Sequence, residues 1–385
     1  MINPEFGYYI CDGIKFEKKI ESLIYSKIKN KPVDWYFQDH IFTKNNWQIE
    51  PEESLNELYD KRAKELREKY DYLILCFSGG SDSFNILESF IRQNIHLDEI
   101  VTVYTEYVVN THAELNVKNK SNSNLSAEHI LNTIPRLKYA SEKLPKTKIT
   151  VLDDTNSVMK SIKQFENEDW IFKRNDHLGP IGPSRFNFFE IKDLRLKFDK
   201  YKSVAIIYGR DKPKIKFRGN QVYTTFSDVA LNTIKATTHN PDYTNITSEY
   251  FYWNSSCLSM LTKQAHVVKR WLENNPLKLK YWINASDPNN RAMQEHLLKD
   301  VIYTSWNNNW FQVEKNLIQW NNGEDWFSKD PQFTKEYMLW KRGFNYASNL
   351  MKEHIVYNNN IPYSFNIFMK WYFVGTLINT TPKFK

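Results

Sequence analysis

The feature that most constrains this chain is a short, nearly continuous apolar run, Asp71–Phe77 (DYLILCF), that empties into Ser78-Gly79-Gly80. A run of that length without polar alternation reads as a strand covered on both faces. The glycines turn the chain, and Phe84, Leu87, Phe90 and Ile91 then fall on one face of a helix. A buried strand, a glycine turn and an amphipathic helix are the opening of an α/β unit.

The same alternation continues downstream. Strand patterns at Glu99–Thr105, Thr147–Leu152 and Ser203–Tyr208 are separated by helix patterns near residues 126–144 and 156–166. Upstream, Ser54 and Glu57 have the spacing of a capping box, followed by a stripe of Leu55, Leu58, Tyr59, Ala63 and Leu66. The expected fold is therefore α/β, a doubly wound and mostly parallel sheet. Such sheets take ligands at the carboxyl ends of their strands. Beyond about Asn254 the period becomes helical, at Leu258–Asn274, Asn290–Tyr303, Thr334–Glu353 and Ser364–Leu377, with Pro276, Pro331 and Pro362 as punctuation. A length of 385 residues exceeds what one core usually supports. The expected organisation is an N-terminal extension at 1–50 without a clean period, an α/β domain at 51–245, and a helical, Trp-rich C-terminal domain at 246–385.

Composition narrows the class of protein. No apolar run reaches membrane-spanning length, so no membrane partner is expected. The N-terminus lacks the basic start and apolar stretch of a secretory signal. Cys11, Cys76 and Cys257 stand alone, without a C-x-x-C pair, which argues against a disulfide framework or a cysteine-held metal. A cytoplasmic location is the expectation. The formal charge of +7 permits a phosphate-bearing partner without demanding one.

The loop itself, Ser78-Gly79-Gly80-Ser81-Asp82-Ser83, carries the chemistry. Glycines allow a tight turn and close backbone approach to a ligand. The following helix offers unpaired N–H groups and the positive end of its dipole to a phosphate. Ser78, Ser81 and Ser83 add hydroxyls. Asp82 would repel phosphates unless a cation lies between, which points to Mg²⁺. The loop lacks the Gly-Lys-Ser/Thr ending of a Walker A motif and is not G-x-G-x-x-G. A side chain at Gly79 or Gly80 is expected to fill the phosphate space and abolish nucleotide binding in a folded protein.

Ser78–Ser83 resembles the S-G-G-x-D-S signature of the PP-loop ATP pyrophosphatases, the adenine nucleotide alpha-hydrolase group, over about Asp71–Gly209. The resemblance implies that the loop binds the pyrophosphate part of ATP, and that the bond between the α- and β-phosphates is cleaved, usually by adenylating an oxygen that a nucleophile then displaces. It also implies that Tyr104, Thr105 and Glu106, at the end of the second strand, border the adenine. Missing chemistry argues against several branches. Ile2 stands where glutamine-dependent asparagine synthetases carry their nucleophilic cysteine. The cysteines that tRNA thiolases, the reductase branch and cyano-deazaguanine synthase need are also absent. The stretches Gly209–Phe217, Phe251–Trp253 and Lys263–His266 resemble uncharacterised phage-encoded members of the group.

Further constellations could complete a site. Tyr208-Gly209-Arg210-Asp211-Lys212-Pro213 ends the last strand read from sequence, on the rim where the glycine loop would lie. Arg210 and Lys212 could neutralise the triphosphate, and Asp211 could hold a metal or orient a base. The same residues would also make a charged turn stopped by Pro213. Between Lys173 and Arg185, Arg174, His177 and Arg185 could clamp an acceptor, with His177 carrying a proton, or form an ordinary connection. Asp153 and Asp154 suit a helix start better than a metal site. Phe251-Tyr252-Trp253 is the best candidate for stacking a nucleobase, and His266 reads as packed structure.

The function expected from sequence is ATP-dependent adenylation with pyrophosphate release, with ATP and Mg²⁺ bound, activating a nucleotide, nucleobase or other small acceptor, or a nucleic acid. The alternative is a nucleotide-sensing or nucleic-acid-binding protein that retains the loop without turnover.

Overall fold

The structure is a computed structural model describing residues 7–111, 129–163, 165–167, 169–170, 192–209, 214–228, 243–253, 255–284, 288–306, 327, 330–350, 355–358, 361–365 and 368–378. Its centre is a five-stranded sheet of β4 (Tyr72–Cys76), β5 (Glu99–Tyr104), β6 (Lys148–Asp153), β7 (Val204–Tyr208) and β10 (Ile246–Tyr250). All neighbours run parallel, in the order β10-β7-β4-β5-β6. The first strand in sequence, β4, lies in the middle, and the order reverses between β4 and β7. This is the switch point of an open α/β sheet, the position at which such sheets generally take ligands. Every residue of β7, and all of β4 but Cys76, is buried, as the unbroken apolar runs require.

Register sets the heights of the strand ends there. Cys76 lies opposite Tyr208, and Tyr208 opposite Tyr250, so β4, β7 and β10 end level with one another. Val101 lies opposite Cys76, so β5 continues to Tyr104, about 10 Å beyond the level where β4 stops. The sheet is a platform on one side and a wall on the other.

The sequence reading ends the sheet at Ser203–Tyr208, and the structure adds β10. Its sequence, Ile-Thr-Ser-Glu-Tyr, has no apolar run because it is an edge strand buried only at Glu249 and Tyr250. Glu249 is buried, and accepts from Arg62 Nη2 at 2.6 Å and Lys69 Nζ at 2.9 Å. Burial works upward on Glu249, but the Arg62 charge and the hydrogen bonds from Tyr70 and Lys69 hold it below the ordinary carboxylate range.

Helices α1 (Lys19–Lys29), α2 (Asp39–Phe42), α3 (Leu55–Lys69), α4 (Ser81–Arg92), α5 (Glu106–Thr111), α6 (Ile134–Lys143), α7 (Thr155–Lys163) and α8 (Lys192–Lys200) flank or connect the strands. The expected capping box closes α3: Ser54 Oγ accepts from Glu57 N–H at 3.3 Å, and Glu57 returns the favour to Ser54 N–H at 2.7 Å. Asp60 on α3 accepts from Arg92 Nη2 on α4 at 2.6 Å, joining the two helices.

Outside the parallel sheet the expectations need correction. Residues 1–50 hold a three-stranded antiparallel sheet of β1 (Tyr8–Cys11), β2 (Ile14–Phe16) and β3 (Val33–Tyr36). The C-terminal region contains the expected helices as α9 (Leu258–Asn274), α11 (Pro288–Ile302) and α12 (Thr334–Leu350), with α10 (Lys280–Ile283) between them. It is not wholly helical. The segment Ser364–Leu377, read as a helix, instead contributes to β12 (Ile361–Phe365) and β13 (Met369–Thr376). β12 pairs with β11 (Ile355–Asn358). β13 pairs antiparallel with β9 (Gln221–Ser227), which pairs with β8 (Lys214–Arg218). The physical reason is the period: Tyr372 and Val374 are buried while their neighbours Trp371 and Phe373 are only partly so, an alternation of two that a helical stripe does not produce.

A buried ion pair fastens the N-terminal unit to this second sheet. Lys19 Nζ on α1 lies 2.8 Å from Asp228 Oδ2, just after β9, with both side chains fully buried. The Tyr9 hydroxyl donates to the same carboxylate at 2.9 Å, and Phe368 N–H donates to its other oxygen at 3.1 Å. Breaking such a pair from one side leaves a buried charge uncompensated. Asp228→Ala is expected to lower the unfolding free energy by about 3–5 kcal/mol in urea denaturation, and Asp228→Leu combined with Lys19→Met to recover only part of that loss, because the Tyr9 hydroxyl and Phe368 N–H stay without their acceptor. Unchanged stability in the single variant would contradict the assignment.

Candidate functional site

The glycine loop leaves β4 at the switch point. Phe77 N–H still donates to Val101 O at 2.8 Å, so pairing with β5 persists until the loop begins. Gly79 then takes φ +71°, a left-handed conformation that favours glycine. Gly80 precedes α4 and offers it no side-chain cap, so no cap competes for the first-turn N–H groups. The serines brace the turn: Gly80 N–H donates to Ser78 Oγ at 3.2 Å, and Ser83 Oγ donates to Gly80 O at 3.2 Å. Ser81 and Ser83 are buried, whereas Ser78 is exposed.

The bare face of Gly79 meets protein. A β-carbon there would stand 2.6 Å from Thr133 Cα and 2.8 Å from Thr133 N. Thr133 ends a π-helical turn, His129–Thr133, and its hydroxyl donates to Ser78 O at 2.7 Å. This overturns the expectation that a side chain at Gly79 would fill phosphate space in a folded protein, since it would strike a neighbouring backbone. The same turn reaches the wall. His129 stacks on Tyr104, with ring centroids 4.6 Å apart and planes 13° apart. Next to Tyr104, Thr105 is buried and donates to the buried Asp154. Asp153 accepts from Thr155 N–H at 3.0 Å and from Glu106 N–H at 2.9 Å, the role of a helix-start residue. Burial raises Asp153, but the hydrogen bond from the Thr155 hydroxyl at 2.6 Å, and then these backbone donors, hold it below the usual carboxylate range.

From the other side, the end of β7 closes on the loop. A β-carbon on Gly209 would lie 2.9 Å from Ser83 N and 3.0 Å from the carbonyl carbon of Asp82. The start of the Gly209–Pro213 constellation therefore touches the first turn of α4, as the level strand ends require. Arg210, Asp211 and Lys212 lie outside the described residues, as do Arg174, His177 and Arg185.

Asp82 is held from the C-terminal region, which the sequence did not announce. The Tyr303 hydroxyl, just after α11, donates to Asp82 Oδ1, and the Tyr252 hydroxyl donates to Asp82 O at 2.8 Å. Burial, and then the nearby Asp82 charge, push Tyr303 well above the ordinary tyrosine range, so it remains a donor. Tyr252 belongs to the Phe251–Trp253 run expected to stack a base. All three rings are buried in the core, so they are no exposed platform, and Tyr252 serves the site through its hydroxyl. His266 bonds to Trp47 O at 3.0 Å, as packed structure.

Among the described residues no group of three or more His, Cys, Asp or Glu side chains is gathered for a metal. One carboxylate beside a phosphate cradle is the usual provision for Mg²⁺, which keeps waters and takes substrate oxygens. Asp82, the one carboxylate of the loop, is the residue that would hold such an ion, with its Oδ1 already accepting from the Tyr303 hydroxyl.

Comparison of the chain with protein-family models and with curated proteins finds no match. Among the described residues, no helix is long and apolar enough to cross a membrane.

Two outcomes test this geometry. Gly79→Val should destabilise the protein by at least about 1–3 kcal/mol from backbone strain, read as a lower melting temperature; an unchanged melt would contradict the contact with Thr133. Burial lowers the His129 pKa, and its Nδ1 is buried without a hydrogen-bond partner. Stability from that group is complete above about pH 6.5, its unfolded value, and is lost as pH falls. His129→Phe should therefore shrink the loss of stability between pH 7 and pH 5; an identical loss in both proteins would exclude His129 as a source.

Proposed function

We propose that this chain binds ATP with Mg²⁺ at the Ser78–Ser83 loop and cleaves it between the α- and β-phosphates, as the PP-loop ATP pyrophosphatases that the loop resembles do. The observation that carries the reading is the meeting of three parts at the switch point: the glycine turn, the uncapped start of α4, and Gly209 at the end of β7. First-turn N–H groups and the helix dipole favour a pyrophosphate there. Tyr104, the last residue of β5, and Thr105, which follows it, would border the adenine, as the resemblance implies.

The chemistry is adenylation. An acceptor oxygen attacks the α-phosphorus, the bond from that phosphorus to the α–β bridging oxygen breaks, and its electrons leave with pyrophosphate. A nucleophile then displaces AMP from the activated acceptor. Asp82, oriented by Tyr303, and the ATP phosphates would hold Mg²⁺, which would offset the charge growing on pyrophosphate. Arg210 and Lys212 follow Gly209 directly and supply the cations that a loop without a Walker lysine lacks. Asp211 would orient a base, and His177 would accept the acceptor's proton. The acceptor class we assign is a nucleotide, nucleobase or nucleic acid.

Incubation with α-labelled ATP, Mg²⁺ and candidate nucleosides or tRNA should yield labelled AMP or an AMP adduct. Labelled ADP would contradict cleavage at the α–β bond, and bound but intact ATP would support the sensor reading instead. Lys212→Ala should slow turnover by about 10²–10³ at unchanged melting temperature. Asp82→Asn should cost far more turnover than ATP affinity; normal turnover in that variant would release Asp82 from the metal role.

A further inference from the structure

The antiparallel sheet β8-β9-β13 has one face in the core and one turned out. Ile215, Val222, Phe226, Tyr372 and Val374 are buried in the main core. Strand side chains alternate, so their neighbours Lys214, Lys216, Arg218, Tyr223, Trp371 and Phe373 lie on the opposite face. All six are partly or fully exposed, and the four strand-interior rings and stems among them take no part in the core.

Their arrangement is ordered across the strands. Lys216 lies opposite Tyr223, and Tyr223 opposite Phe373. Tyr223 contacts the Trp371 and Phe373 rings at centroid distances of 5.6 Å each. Arg218 sits 4.2 Å from the Trp371 centroid, and Lys216 lies 5.7 Å from it. The three strands, KIKFR, QVYTTFS and MKWYFVGT, contain no Asp or Glu. An aromatic patch bordered by cations, with no carboxylate in its strands, complements a polymer that alternates flat bases with phosphates.

We propose that this face binds single-stranded nucleic acid, with bases stacked on Trp371, Tyr223 and Phe373 and phosphates met by Lys214, Lys216 and Arg218. Paired bases hide their faces in a duplex, so the rings select a single strand. The position relative to the ATP site matters as well. Only residues 209–213 separate the end of β7, at the glycine loop, from Lys214 at the start of β8. That span is at most about 20 Å. A strand seated on the face could thus present a nucleotide to the rim. As the seat of the acceptor this face rests on the ATP reading, whereas binding itself does not.

The test is fluorescence anisotropy of the full chain with labelled DNA and RNA single strands of about 12 nucleotides, without ATP. Binding is expected to weaken steeply between about 50 and 200 mM salt, and a blunt duplex of the same sequence should bind less tightly. Trp371→Ala should weaken single-strand binding at least about tenfold, the scale of a lost base stack. Arg218→Ala, at an exposed position, should reduce the log–log salt slope by about 1. Melting temperatures confirm that each variant is folded, and Trp371→Phe should retain most of the affinity if the first variant is not. No single-strand binding, binding indifferent to both substitutions, or tighter binding of polyglutamate would overturn the proposal. Because no ATP is present, failure here leaves the pyrophosphatase reading untouched, and the converse also holds.

Discussion

The arrangement of the molecule depends on the register of three parallel strands. Because Cys76, Tyr208 and Tyr250 lie level, the segments that follow β4, β7 and β10 all leave the sheet at one height. The glycine loop, Gly209 and Tyr252 then meet over a few ångströms although they lie far apart in sequence. A two-residue shift of β7 along β4 would move Gly209 by about 7 Å and separate it from α4. The burial of β4 and β7 on both faces makes their pairing costly to change, and Arg62 and Lys69 lock β10 through Glu249.

The site is held by the core as well as by the serines of its own turn. Tyr303 and Tyr252 approach Asp82 from beneath, within a buried aromatic group that includes Tyr59, and Asn85 Nδ2 donates to the Tyr252 hydroxyl at 3.0 Å. On the opposite side, the His129–Thr133 turn spans the loop and the β5 wall. Gly79 is a packing glycine in this arrangement, needed for its positive φ and for the backbone of Thr133. Packing and hydrogen bonds thus fix the turn, and the proposed phosphate binding would need such fixed N–H groups to act without reorganising.

Local patterns in the sequence revealed the central sheet and the loop, because apolar runs, a capping box and a glycine turn are all short-range signals. The capping box at Ser54 and the helix at Leu258–Asn274 are seen as expected. What escaped were features made by distant partners. β10 carries a glutamate that reads as surface until Arg62 is placed beside it. Tyr303 and His129 acquire roles only through the fold. The β13 segment reads as a helix in sequence because a mixed aromatic run fits both periods, and only pairing with β9 decides between them. The Phe251–Trp253 run shows the opposite error, since its rings fill the core instead of facing a ligand.

The central claim is that the Ser78–Ser83 loop and the start of α4 cradle the β- and γ-phosphates of ATP. A crystal structure with Mg²⁺ and the α,β-methylene analogue of ATP, which resists cleavage at that bond, tests it most directly. The account predicts phosphate oxygens within hydrogen-bond distance of first-turn N–H groups of α4, and the adenine on the Tyr104 side. A nucleotide bound elsewhere, or one whose phosphates point away from the loop, would contradict it.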